Sequence, residues 1–155
     1  MVKKAIYIAS LEESSGKSAI AIALASIAKE LNINIGYFKP IGLGSLIAPE
    51  RENVDEDVEV MKSLLKLEYD SSLLCPLILK RDEYLEGFTE ANIRLYAKKI
   101  VESYREVSDD KEIMLIEGPR NLSVGSFLGC PVPKLARDFN AKILLVVRFR
   151  GDAIT

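Results

Sequence analysis

Three short groups of residues hold the charges and hydroxyls best placed for chemistry, and each follows an apolar run. Gly16-Lys17-Ser18 follows Lys4-Ala5-Ile6-Tyr7-Ile8-Ala9 across the polar stretch Ser10 to Ser15, Lys39 follows Ile35-Gly36-Tyr37-Phe38, and Glu117 follows Glu112-Ile113-Met114-Leu115-Ile116. Glycine, lysine and serine in that order at the start of a helix suit the capture of an anion. The first N–H groups of a helix point out of its end and its dipole is positive there. Lys17 adds a point charge for β- and γ-phosphates, and the Ser18 hydroxyl is a ligand for Mg²⁺. The residues expected to wrap the phosphates are Glu13, Ser14, Ser15, Gly16, Lys17, Ser18 and Ala19. The other reading is an ordinary strand-to-helix turn in which Gly16 is only a hinge.

The loop departs from the full P-loop pattern G-x-x-x-x-G-K-[ST]. Leu11 stands where the first glycine belongs, and Glu12 and Glu13 bring negative charge to a loop that favours neutrality. Context therefore carries the inference: a β-branched and aromatic strand, a polar loop, then an alanine-rich helix.

Lys39 interrupts an apolar strand just before Pro40. Beside a phosphate site it is expected to act as a second cation, for the transferred phosphoryl group or an acidic substrate; alone it reads as a solvated strand end. Glu117 ends a hydrophobic run, the placement of an acid that holds Mg²⁺ directly or through water; alternatively it caps the next turn. Asp57, ahead of Asp55, is a further Mg²⁺ candidate, although acids also suit a helix start. The expected roles are thus Lys17 and Lys39 in catalysis and Ser18, Asp57 and Glu117 at the metal. Arg120 and Asn121 are candidates for substrate contact, and Arg148 and Arg150 for the nucleobase or a partner. Cys75 and Cys130 are expected to be buried thiols.

Periodicity supplies the elements that position these groups. Helices are expected over Ala19–Leu31, with Ile20, Ala23, Leu24, Ile27 and Leu31 at helical spacing, over Val54–Leu67 and over Thr89–Val107, with a short one from Pro133 to Phe139. Strands are expected at 4–9, 35–38, 112–116 and 141–147. Gly42 to Asn53 reads as a long loop, Leu73 to Leu79 as an irregular or edge segment broken by Pro76, and Lys80 to Gly87 as a polar connector. Nearly all-apolar strands alternating with helices predict an α/β fold: a three-layer, doubly wound, mostly parallel sheet covered on both faces. Ligands in such folds bind at the carboxyl ends of the strands, where Lys17, Lys39 and Glu117 fall.

A chain of 155 residues is the size of one domain. A net charge of −2 argues against general binding to nucleic acid. The absence of histidine excludes a His-dependent triad, and two distant cysteines exclude a structural zinc site. No apolar run approaches the roughly 18 residues of a membrane-spanning helix. The chain is expected to be cytoplasmic, with no membrane or nucleic-acid partner. Gly151-Asp152-Ala153-Ile154-Thr155 reads as a cap entering another helix, so the fold is expected to lack its C-terminal elements here or to be followed by a further domain.

Together, Gly16-Lys17-Ser18, Gly36-Tyr37-Phe38-Lys39-Pro40, Asp57 and Leu115-Ile116-Glu117-Gly118 resemble the dethiobiotin synthetase-like branch of P-loop ATPases over nearly the whole chain. In that family the loop ends G-K-[ST], the second strand closes in G-Y-x-K-P, an acid begins a following helix, and a hydrophobic run ends in E-G. The resemblance implies ATP and Mg²⁺ as cofactors, a small acidic substrate and a homodimer. It also implies phosphates and acidic substrate on Lys17 and Lys39, with Mg²⁺ among Ser18, Asp57 and Glu117. The chain departs from dethiobiotin synthetases at Ser10-Leu11-Glu12 and at Pro119-Arg120-Asn121, where the family carries glycines. In this it looks more like the related domain at the N-terminus of some phosphotransacetylases and in proteins related to cobyrinic acid a,c-diamide synthase. The expected function is phosphorylation of a carboxylate or carbamate in an ATP-dependent ligation. The alternatives are a nucleotide-sensing regulatory domain that hydrolyses nothing, or an oligomerisation domain with a relic loop.

Overall fold

A computed structural model describes residues 4–44, 55–79 and 89–148. Four strands form one fully parallel sheet in the order β2-β5-β1-β6: β1 (Lys4–Ser10), β2 (Ile35–Phe38), β5 (Ile113–Glu117) and β6 (Ala141–Val146). These are the four strands expected from the sequence. Tyr7 faces Ile116 on one side and Ile143 on the other, so β1 runs through the middle of the sheet.

Helices α1 (Lys17–Glu30), α2 (Glu56–Leu65), α4 (Glu90–Ser108) and α5 (Val132–Asp138) fill the connections. With right-handed crossovers, the step from β1 out to β2 lays α1 on one face, and the return steps to β5 and β6 lay α4 and α5 on the other. Phe38 of β2, Tyr104 of α4 and Phe139 of α5 form one aromatic cluster on that second face, with Tyr104 and Phe139 stacked at 4.0 Å between centroids. The result is the doubly wound, three-layer α/β arrangement. Asp55 caps α2 by accepting from the Asp57 N–H, and Thr89 caps α4 by accepting from the Asn92 N–H.

Four expectations need correction. Part of the presumed loop after Gly42 and of the broken segment at Leu73–Leu79 is regular. A one-turn helix α3 (Ser71–Leu74) precedes β4 (Leu77–Leu79), which pairs in parallel with β3 (Ile41–Leu43) as a separate two-stranded sheet. The inward side of α1 is Ala21, Ala25 and Ala28; of the expected stripe, Ile20 and Leu24 pack half-buried against the core, while Ile27 and Leu31 are 53% and 65% exposed. Small side chains at the innermost positions let the helix lie close to the sheet. β6 is not covered on both faces: Ile143, Leu144 and Leu145 are 47%, 39% and 46% exposed, although the strand has the apolar composition of a sheet interior. Finally, α1 starts at Lys17 and α2 at Glu56, later for α2 than the periodicity suggested, because Asp55 turns its side chain back to cap the helix. The connector 80–88, residues 45–54 and the terminal 149–155, including Arg150, lie outside the described residues.

No helix among the described residues is long and apolar enough to cross a membrane. Cys75 and Cys130 are free and buried, as expected.

Candidate functional site

Parallel strands deliver their carboxyl ends to one edge of the sheet, and three of them, with the start of α1, put polar groups there. β1 ends in buried Ser10, β2 runs into Lys39, β5 ends in Glu117, and α1 begins at Lys17. Gly16, just before α1, has φ +93°, a left-handed conformation that turns the chain into the helix with little strain for glycine. Lys17, Lys39 and Glu117 line a cavity of about 400 Å³, together with Glu13, Ser14, Ser18, Asp55, Asp57 and Arg120, and with Ile41 and Leu43 from β3.

Two polar networks fill this edge. In the first, Lys17 Nζ donates to Ser10 Oγ at 2.7 Å and to the Arg120 carbonyl at 3.1 Å. Ser10 Oγ lies 2.7 Å from the Glu12 carbonyl. The Arg120 side chain reaches back to the loop, with Nε 3.0 Å from Glu13 Oε1. Burial, reinforced by the charge of Lys39, lowers the pKa of Lys17 against the opposing pull of Glu117.

The second network is centred on Lys39. Its Nζ lies 2.9 Å from Asp55 Oδ1, 2.6 Å from Asp57 Oδ2 and 3.8 Å from Glu117 Oε1. Glu117 is fixed from both sides: Ser18 donates to Oε1 at 2.7 Å and the Tyr37 hydroxyl to Oε2 at 2.7 Å. Burial alone would lower the Lys39 pKa, but Glu117, Asp55 and Asp57 outweigh it and hold the ammonium charged. Burial raises the Glu117 carboxyl, with Asp57 adding to it and Lys39 opposing. Asp57 moves the other way: burial pushes it up, but the contact with Lys39 wins and lowers it.

The two aspartates differ. Asp55 is buried and saturated, accepting from Lys39 and from the backbone N–H groups of Leu43 and Asp57. Asp57 is 39% exposed and opens to the cavity. An all-oxygen set of Ser18, Asp57 and Glu117 suits a hard cation such as Mg²⁺, and the Lys39 ammonium is a positive stand-in beside it. Among the described residues no three acidic, thiol or imidazole groups are arranged to hold a metal unaided.

The structure thus brings together Glu13, Ser14, Lys17, Ser18, Lys39, Asp57 and Glu117 around one cavity. Ser15 lies beside it, with its hydroxyl donating to the Glu12 carbonyl at 2.5 Å, and Ala19 is exposed on the first turn of α1. Asn121 turns away and caps its own loop, its Oδ1 accepting from Ser123 and Val124. Arg148 donates to the Ser14 carbonyl at 2.7 Å, bracing the loop from the β6 side. Sequence reasoning missed Ser10 and Tyr37 as site residues. A tyrosine two positions before Lys39 in an otherwise apolar strand was the available signal.

A parallel sheet with a Gly-Lys-Ser turn at the edge of its central strand and an acid at the end of the neighbouring strand defines the P-loop nucleotide-binding class. Within it, the chain belongs to the AAA domain family AAA_26, whose profile matches residues 4–155. It is 30% identical over 122 residues to the ATP-dependent dethiobiotin synthetase BioD of Caldicellulosiruptor bescii, covering 78% of this chain and 50% of that protein. It is 21% identical over 153 residues to the protein of the same name from Nitrosopumilus maritimus, covering 97% of this chain and 66% of that one. The chain therefore spans about half to two thirds of the length of these relatives. A more distant likeness is the solved structure of the signal recognition particle receptor FtsY from Elizabethkingia anophelis, at 17% identity and TM-score 0.47, covering 93% of this chain and 41% of that one. The chain is a P-loop domain of the dethiobiotin synthetase type.

Proposed function

We propose that this domain binds ATP with Mg²⁺ and passes the γ-phosphoryl group to a carboxylate or carbamate of a small acidic substrate. The observation that carries this reading is the convergence of Lys17, Ser18, Lys39 and Glu117 on one cavity at the carboxyl edge of the sheet. Lys17 and the N–H groups at the start of α1 take the β- and γ-phosphates. Ser18, Asp57 and Glu117 would hold Mg²⁺, which when bound offsets the charge of the phosphate oxygens. Lys39 faces the same space and stabilises the negative charge that spreads over the transferring group. Asp55 keeps Lys39 in place, and Tyr37 keeps Glu117 in place.

Titration calorimetry of Mg²⁺ with ATP, ADP and GTP against the wild type and Lys17→Ala tests the binding step. Micromolar ATP affinity lost in the variant supports it; equal affinity in the two proteins rules it out. Product analysis with small carboxylic and amino acids then tests transfer.

A second reading has its own observation. Lys17 donates to Ser10 and the Arg120 carbonyl, and Glu13 lies in an ion pair with Arg120, so the loop's charged groups are engaged within the chain. A nucleotide-sensing regulatory domain, of the kind joined to some phosphotransacetylases, would bind nucleotide and hydrolyse nothing. Hydrolysis stimulated by a candidate acid separates it from the first reading. By resemblance either form would work as a homodimer in the cytoplasm.

A further inference from the structure

We propose that Lys39 is the resident cation of the nucleotide-free site: it occupies the charge position that a divalent metal takes, so that metal enters only together with phosphate. The inference rests on the reading above that this cavity takes Mg²⁺ and nucleotide, and it adds the order and coupling of their binding.

Three carboxylates surround one ammonium. Lys39 Nζ is 2.9 Å from Asp55 and 2.6 Å from Asp57, with Glu117 at 3.8 Å, and its side chain is only 9% exposed. Asp55 is fully used by the backbone and by Lys39. Asp57 and Glu117 are the two acids able to turn to a metal, and both now face Lys39. Ser18 is likewise engaged, donating to Glu117. A divalent ion arriving alone would have to displace a buried ammonium from these acids and leave it beside a second positive charge. That is unfavourable in a poorly solvated site.

Arriving phosphates reverse the balance. They give Lys39 new anionic partners in the same cavity, which releases Asp57 and Glu117, and they bring oxygens that complete the metal's shell. Metal and nucleotide are therefore coupled, each raising the other's affinity by the same factor. Lys39 changes partners between the two states, while Asp55 and Tyr37 hold the frame still.

The test compares Mn²⁺ binding by electron paramagnetic resonance, with and without ADP, in the wild type, Lys39→Met and Lys39→Arg. The expected result is weak Mn²⁺ binding by the wild type alone and at least tenfold tighter binding once ADP is present. Lys39→Met should bind Mn²⁺ without nucleotide at least tenfold better than the wild type, and Mg²⁺ should raise its melting temperature. Lys39→Arg, which keeps the charge, should behave like the wild type. Equal metal-only affinity in the wild type and Lys39→Met overturns the inference. Should Lys39→Met not fold, the wild-type Lys39 ammonium signal in ¹⁵N-resolved NMR decides. It should move with Mg²⁺ and ADP together and stay still with Mg²⁺ alone; a shift on Mg²⁺ alone overturns the idea. A wild type that binds no nucleotide defeats the proposed function, whereas the metal-only comparison of the variants still judges Lys39.

Discussion

Ser18 Oγ donates to Glu117 Oε1 at 2.7 Å, joining the first turn of α1 to the end of β5 across 99 residues of sequence. With the Tyr37 hydroxyl on the other oxygen, both oxygens of the Glu117 carboxylate accept a hydrogen bond. Two tyrosines, one on β2 and one on β1, make this testable. The Tyr37 hydroxyl satisfies a buried carboxylate, so Tyr37→Phe should cost roughly 1–3 kcal/mol in urea denaturation. Tyr7 is also fully buried, but its hydroxyl has no hydrogen-bond partner among the described residues. Tyr7→Phe should therefore leave stability unchanged or raise it by about 1 kcal/mol. A large loss in Tyr7→Phe would show that the hydroxyl has a partner after all.

Asp55 and Asp57 should separate stability from binding. Asp55 holds Lys39, Leu43 and the start of α2, so Asp55→Asn should cost roughly 2–3 kcal/mol by the measure of charged hydrogen bonds. Asp57 is more open, and Asp57→Asn should cost less stability while weakening nucleotide binding in Mg²⁺ more. Thermal melts and calorimetry on both variants would show whether the order reverses between the two measurements.

Gly16 and Gly125 both have positive φ, +93° and +95°, but differ in surroundings. A Cβ on Gly16 would meet open space, so Gly16→Ala carries backbone strain alone, about 1 kcal/mol. A Cβ on Gly125 would sit 2.7 Å from the Cys130 carbonyl oxygen, which is backbone and cannot swing aside. Gly125→Ala should thus be the more destabilising, by an added roughly 1–3 kcal/mol of overpacking. Equal melting temperatures would contradict this.

Burial, with the charge of Asp55 adding to it, pushes the Cys75 thiol up from 9.0 to about 12. A group whose folded pKa is raised loses its stabilising contribution as pH climbs. Stability linked to Cys75 is therefore whole below pH 9 and falls between about 9 and 12, by up to roughly 1.4 kcal/mol per pH unit. Cys75→Ala should flatten that limb of the wild-type curve; an unchanged slope would remove Cys75 as its source.

The parts of this fold that could be read from sequence are those fixed by local pattern. β1, β2, β5 and β6 are continuous apolar runs, and α2 and α4 bury the residues their spacing indicates, among them Val58, Met61, Ile100 and Tyr104. β3 and β4 were not readable: each has three residues, and Gly42 and Pro76 signal breaks. Their stability comes from pairing with each other, a relation with no local signature. The α1 face was legible in part: Ile20 and Leu24 pack against the core as their spacing indicates, whereas close packing against the sheet put Ala21, Ala25 and Ala28 innermost and left Ile27 exposed. In the site, Lys39 and Glu117 stood out as charges closing apolar strands. Ser10 and Tyr37 act through partners far away in sequence, and Asp55 and Asp57 differ only in which way they point.

The register of β1 also governs when the molecule can fold. Residues 4–10 leave the ribosome long before their partners, residues 113–117 and 141–146. The middle of the sheet cannot zip until almost the whole described chain has emerged, and until then an apolar strand waits unpaired. Such distant pairing makes for slow closure and long exposure of a sticky segment during synthesis. The phosphate loop is built on that late-closing strand, so the site is among the last parts of the domain to take shape.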